Sequence, residues 1–138
     1  MRSLSHHAPA FVLNAFALAL LAAFDAAALV RGVTLSLPPR AHVAALIPLF
    51  AFAAHLYKTT REEEARDCAL YTRSVACAPL RNARETAFLF LVGNGILVSL
   101  SAAACVWLHE VPVSVLVALE ACFAFGDGAW VLATHFDW

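Results

Sequence analysis

Four long apolar runs decide most of what this chain can become. They cover Ala10–Val30, Ala41–Tyr57, Thr86–Leu108 and Val111–Thr134. A bilayer hydrocarbon core about 30 Å thick takes about 20 helical residues to cross, with a range of about 17–25. All four runs fall in that range. They are too long for strands and show no period-two alternation. In lipid every backbone N–H and C=O must be satisfied internally, which a helix does by itself. The sequence therefore predicts an all-α integral membrane protein, a single four-helix transmembrane domain over residues 1–138. Composition agrees: 62% of the 138 residues are hydrophobic and 14% are charged, against about 45–50% and about 25% in soluble domains. A net charge of −1 supplies no basic field for a nucleic acid, so none is expected as partner.

The connections differ. Arg31–Arg40 is short and carries Pro38-Pro39, a stiff extended turn. His109-Glu110 before Pro112 makes a tight hairpin, so spans three and four should be antiparallel neighbours. Pro48 in the second span should kink it. Residues 58–85 form the one substantial polar stretch. There Thr60, followed three residues later by Glu63, resembles a capping box. Ala65, Cys68, Ala69, Thr72 and Ala76 recur at helical spacing. This pattern predicts a short amphipathic helix, Thr60–Ala76, between spans two and three, with Glu62-Glu63-Glu64 as its solvated first turn.

Orientation follows from lysine and arginine. Arg2, Lys58, Arg61, Arg66, Arg73, Arg81 and Arg84 fall on one side, Arg31 and Arg40 on the other. The positive-inside rule then puts both termini and the 58–85 stretch on the inner face. The apolar run after Pro9 exceeds the ~7–15 residues of a signal-peptide core and reads as a retained anchor.

Ionisable groups inside the spans are the functional candidates. Each costs at least about 2.5–3.5 kcal/mol to insert. There are three: Asp25 in span one, Glu120 and Asp127 in span four. Glu120 and Asp127 are seven apart and share a helix face. Asp25 and Glu120 should lie at one depth, with Asn14, Asn94 and Asp127 forming a second layer nearer the inside. No lysine or arginine lies within a span to neutralise them. They read either as a proton or cation pathway or as polar glue between helices or subunits. Too many polar groups then compete for one narrow core, which predicts that some meet another subunit or a lipid headgroup.

Other features point less far. His42 and His55 on span two are 13 residues apart and face different sides. A single b-type haem between His55 and His135 near the inner face is geometrically possible, since both lie on that side. No cofactor is otherwise indicated, and no metal cluster. Cys68, Cys77, Cys105 and Cys122 fit neither zinc nor redox spacing and read as small buried hydrophobes. Ala19-Ala23-Ala27 and Gly95-Ser99-Ala103 are small-residue stripes that let helices approach closely; they are expected to fill the bundle. Trp107, Trp130, Trp138 and Tyr57 fall near span ends, as an aromatic belt does. No Ser–His–Asp set, HExxH or phosphate loop is present, so the chain is not expected to be an enzyme.

These readings predict a non-catalytic accessory subunit of a large multi-subunit membrane complex, with other membrane subunits and lipids as partners. By analogy with small uncleaved subunits, a respiratory complex or ATP synthase of the mitochondrial inner membrane is the expected setting, termini on the matrix face. The alternative is a small proton-coupled transporter using Asp25, Glu120 and Asp127. The chain resembles the small multidrug resistance transporters in its four short spans and an acid in the first; the residues around Asp25, Ala-Ala-Phe-Asp-Ala-Ala-Ala, reproduce no motif of that kind. A b-type haem redox protein is the third alternative.

Overall fold

The computed structural model describes residues 4–31, 39–70, 78–107 and 113–135. They form four helices: α1 Leu4–Val30, α2 Pro39–Leu70, α3 Ala78–Trp107 and α4 Val113–His135. Each holds a stretch long and apolar enough to cross a membrane: His7–Ala27, Val43–Cys68, Ala78–Ala103 and Val117–Thr134. The protein is thus an all-helical integral membrane protein.

Two antiparallel pairs build the bundle, α2 against α3 and α1 against α4. The pairs meet chiefly where α3 packs against α4, and also where α1 approaches α3 and α2. The interior positions recur every three or four residues, as one face of a helix requires. On α1 they are Phe11, Asn14, Ala15, Leu18, Ala22 and Asp25; on α4, Glu120, Ala124, Asp127 and Val131. On α3 they include Ala83, Ala87, Phe90, Asn94, Leu97 and Ser101. Two apolar clusters result. One joins Phe11, Ala53, Leu56, Ala87, Phe90 and Val131, and the other joins Leu18, Leu46, Leu97 and Ala124. The outer faces carry large apolar side chains such as Phe16, Phe24, Ile47, Val92 and Phe125, the side chains that a lipid environment accepts.

Three expectations are corrected. First, no separate amphipathic helix follows span two among the described residues; Thr60 lies within α2, which runs unbroken through Pro48 to Leu70. The Thr60 hydroxyl donates backwards, to the carbonyls of Leu56 at 2.8 Å and Tyr57 at 3.1 Å. A threonine bonded this way sits mid-helix and cannot cap a new one. The end of the expected helix, including Thr72 and Ala76, lies outside the described residues. Second, the acidic triplet is not simply solvated. Glu63 accepts from His7 Nε2 at 2.7 Å, and Glu64 forms an ion pair with Arg84 Nε at 2.8 Å, so neighbouring helices recruit two of the three carboxylates. Third, the small-residue stripes point outward: Ala19, Ala23, Ala27, Ser99 and Ala103 are exposed. The interior stripe on each helix is the adjacent one, carrying larger residues.

These contacts form a polar collar at one end. His7–Glu63 ties α1 to α2, Arg84–Glu64 ties α3 to α2, and Trp130 Nε1 donates to Thr86 Oγ1 at 2.9 Å, tying α4 to α3.

Candidate functional site

The bundle interior holds all five of the intramembrane polar residues singled out in the sequence. Asn14 and Asp25 are 0% exposed, Asn94 and Glu120 1%, and Asp127 8%. All three acids turn into this chain's own core. Each sits on the interior stripe of its helix, an integral number of turns from an apolar core residue.

Two direct pairings cross the bundle. The Asp25 and Glu120 carboxyls lie close enough to interact electrostatically between α1 and α4. Asn94 Nδ2 donates to Asn14 Oδ1 at 3.2 Å, joining α3 to α1. This bond leaves Asn14 Nδ2 and Asn94 Oδ1 buried without a partner among the described residues, and the Ser101 hydroxyl likewise. Such groups carry the full desolvation cost unless a water reaches them.

The polar groups are spread along the bundle axis. With about 1.5 Å of rise per residue, Asn14 lies about 10 Å beyond His7, and Asp25 about 16 Å beyond Asn14. Because α4 runs antiparallel to α1, Asp127 falls between those two layers, about 10 Å from Glu120. Apolar side chains separate the layers. Phe11 and Phe90 meet edge to face at a centroid distance of 5.5 Å, between the His7–Glu63 pair and the asparagines. Leu18 and Leu97, both in the second apolar cluster, lie one turn beyond the asparagines on α1 and α3.

Glycine shapes the asparagine layer. A Cβ on Gly93 would stand 3.0 Å from Phe123 Cδ1, and one on Gly95 3.2 Å from Phe50 Cε2. The glycines on either side of Asn94 thus let aromatic rings of α4 and α2 close on α3. Gly126 and Gly128, beside Asp127, have open space at the Cβ position, so no crossing helix explains them.

Sequence reasoning missed Ser101 and the His7–Glu63 pair. Ser101 is seven residues after Asn94, and His7 seven before Asn14, so the same-face rule that joined Glu120 to Asp127 reaches both. His7 was hidden because the helix was expected to start after it. The haem expectation loses one ligand: His55 is exposed on α2, turned away from the interior. The side chains of His42 and His135 lie outside the described residues. Cys68 is half-buried and disulfide-bonded, not a buried hydrophobe, and Cys122 is free and exposed. Cys77 and the side chain of Cys105 lie outside the described residues. No group of three or more metal-binding side chains occurs among the described residues.

The chain matches no family model, no curated protein and no solved structure.

Proposed function

We propose that this protein is a small proton-coupled membrane carrier in which Asp25, Glu120 and Asp127 handle the proton. The observation that carries this reading is the burial of all three acids in the chain's own four-helix interior, with Asp25 and Glu120 close enough to interact. Two buried carboxyl groups held together can pass a proton between them, since either can hold it. Intramembrane acids facing a bundle interior mark proton relays and substrate pathways. Asp127, one face-repeat along α4, and the under-bonded Asn14, Asn94 and Ser101 offer further stations for a proton or for water. The apolar layers at Phe11–Phe90 and Leu18–Leu97 close the path on either side of the asparagines, as an occluded carrier requires. Purified protein in vesicles containing a pH-sensitive dye tests the reading. An imposed pH gradient should collapse faster than in empty vesicles, and Asp25→Asn should return the rate to that of empty vesicles. Wild-type rates equal to empty vesicles, with and without candidate substrates, would remove this reading.

A second reading, an accessory subunit of a multi-subunit membrane complex such as a respiratory complex or ATP synthase of the mitochondrial inner membrane, is favoured by a different observation. An apolar groove of about 450 Å³ opens between α1 and α4, lined by small residues that include Ala19, Ala22, Ala23 and Ala121. Small residues allow a further helix to approach closely. A mild-detergent native gel with mass spectrometry of co-migrating chains separates the two readings; a lone species favours the carrier. In both, the lysine and arginine excess supports placing the polar collar and both termini on the inner face.

A further inference from the structure

The polar collar borders a cleft that neither reading uses. It is about 390 Å³ in volume and is lined by Tyr57, Arg84, Glu85, Phe88, Leu89 and Trp130. It lies against α3, with Tyr57 contributed by α2 and Trp130 by α4. Over one turn of α3 its character changes from charged, at Arg84 and Glu85, to apolar, at Phe88 and Leu89, which are exposed. Tyr57 and Trp130 are the residue types that settle at the headgroup level of a bilayer. An amphipathic molecule lying parallel to the bundle meets the same change over the same distance.

The charges specify the headgroup. Arg84 uses Nε for its bond to Glu64 at 2.8 Å. Arg84 also lines the cleft, and guanidinium NH₂ groups are donors that bind phosphate oxygens. Glu85 is exposed beside it and makes no hydrogen bond or ion pair among the described residues. A carboxylate here repels a purely anionic headgroup but attracts an ammonium group. Tyr57, 5.8 Å from Phe88 between ring centroids, and Trp130 offer aromatic faces that also attract a cation. One guanidinium, one carboxylate and an aromatic wall together complement a phosphate joined to an amine.

We propose that this cleft is a specific site for a zwitterionic phospholipid. The phosphate meets Arg84, the amine meets Glu85 and the aromatic rings, and an acyl chain runs over Phe88 and Leu89. The site stands independently of the carrier reading.

The test uses the full chain in nanodiscs of equimolar phosphatidylethanolamine and phosphatidylglycerol, with lipids retained after release into detergent counted by native mass spectrometry. Wild type should retain phosphatidylethanolamine over phosphatidylglycerol by about tenfold, the factor that follows from one charge-assisted contact. Glu85→Gln should abolish that preference while retaining lipid. Arg84→Gln should lose retention of both. Since Arg84→Gln also breaks the bridge to Glu64, Glu64→Gln serves as control: it breaks the same bridge, keeps the arginine, and should retain lipid as wild type does. Equal retention of the two lipids by wild type overturns the proposal. So does a preference that survives Glu85→Gln, or a loss with Glu64→Gln as large as with Arg84→Gln.

Discussion

Replacing Glu120 separates a proton-handling role from a merely adhesive one. Glu120 is 1% exposed and interacts with Asp25, itself 0% exposed. Glu120→Ala removes the partner of a fully buried carboxyl, which costs about 1–3 kcal/mol, and leaves a void where the side chain stood, a further loss of order 1–2 kcal/mol at about 24 cal/mol per Å³. The expected total is about 3 kcal/mol. Glu120→Gln keeps the volume, and its Nε2 donates to Asp25, so the loss should stay below about 1 kcal/mol. Unfolding in mixed detergent micelles should therefore rank wild type and Gln close together and Ala well below. Proton flux in vesicles should rank them differently, because an amide bonds but cannot release and rebind a proton across this range. Both variants should fall to the rate of empty vesicles. Wild-type flux in Glu120→Gln would refute the proton role and leave the pair as glue. Equal stability of Ala and wild type would refute a stabilising contact between the two carboxyls.

Other consequences can be checked separately. Gly126→Ala should stabilise α4 by up to about 1 kcal/mol, since alanine is the better helix former and its Cβ meets nothing within 4 Å. Gly93→Ala, 3.0 Å from Phe123, should instead lose about 1 kcal/mol or more through overpacking; the same unfolding assay reads both, and matching signs would contradict the packing described. A double-mutant cycle on His7→Ala and Glu63→Ala should give a coupling of about 0.5–1.5 kcal/mol, with zero coupling counting against the collar. With reductant present, Cys68 should react with an impermeant thiol reagent from the inner face of sealed vesicles. Labelling from the outer face would reverse the orientation and place this end in the oxidising compartment that a disulfide favours.

The helical class, the number of spans and the identity of the buried polar residues were legible in the chain alone, because run length against bilayer thickness and the cost of a charge in lipid are local properties. Pairing was legible in part: equal depth brought Asp25 to Glu120 and Asn14 to Asn94, since antiparallel helices with short connections map sequence position onto depth. Which side of each helix turns inward was decided only by the assembled bundle. The stripe Ala19-Ala23-Ala27 and the stripe of Phe11, Leu18, Ala22 and Asp25 differ by one residue step of about 100°, and both are apolar enough to face lipid or protein. The tertiary structure chose the second because it alone brings the polar groups together. The end of α2 was decided the same way. Thr60 and Glu63 fit a new helix start by local pattern, but His7 and Arg84, distant in sequence, hold Glu63 and Glu64 on a helix that never breaks.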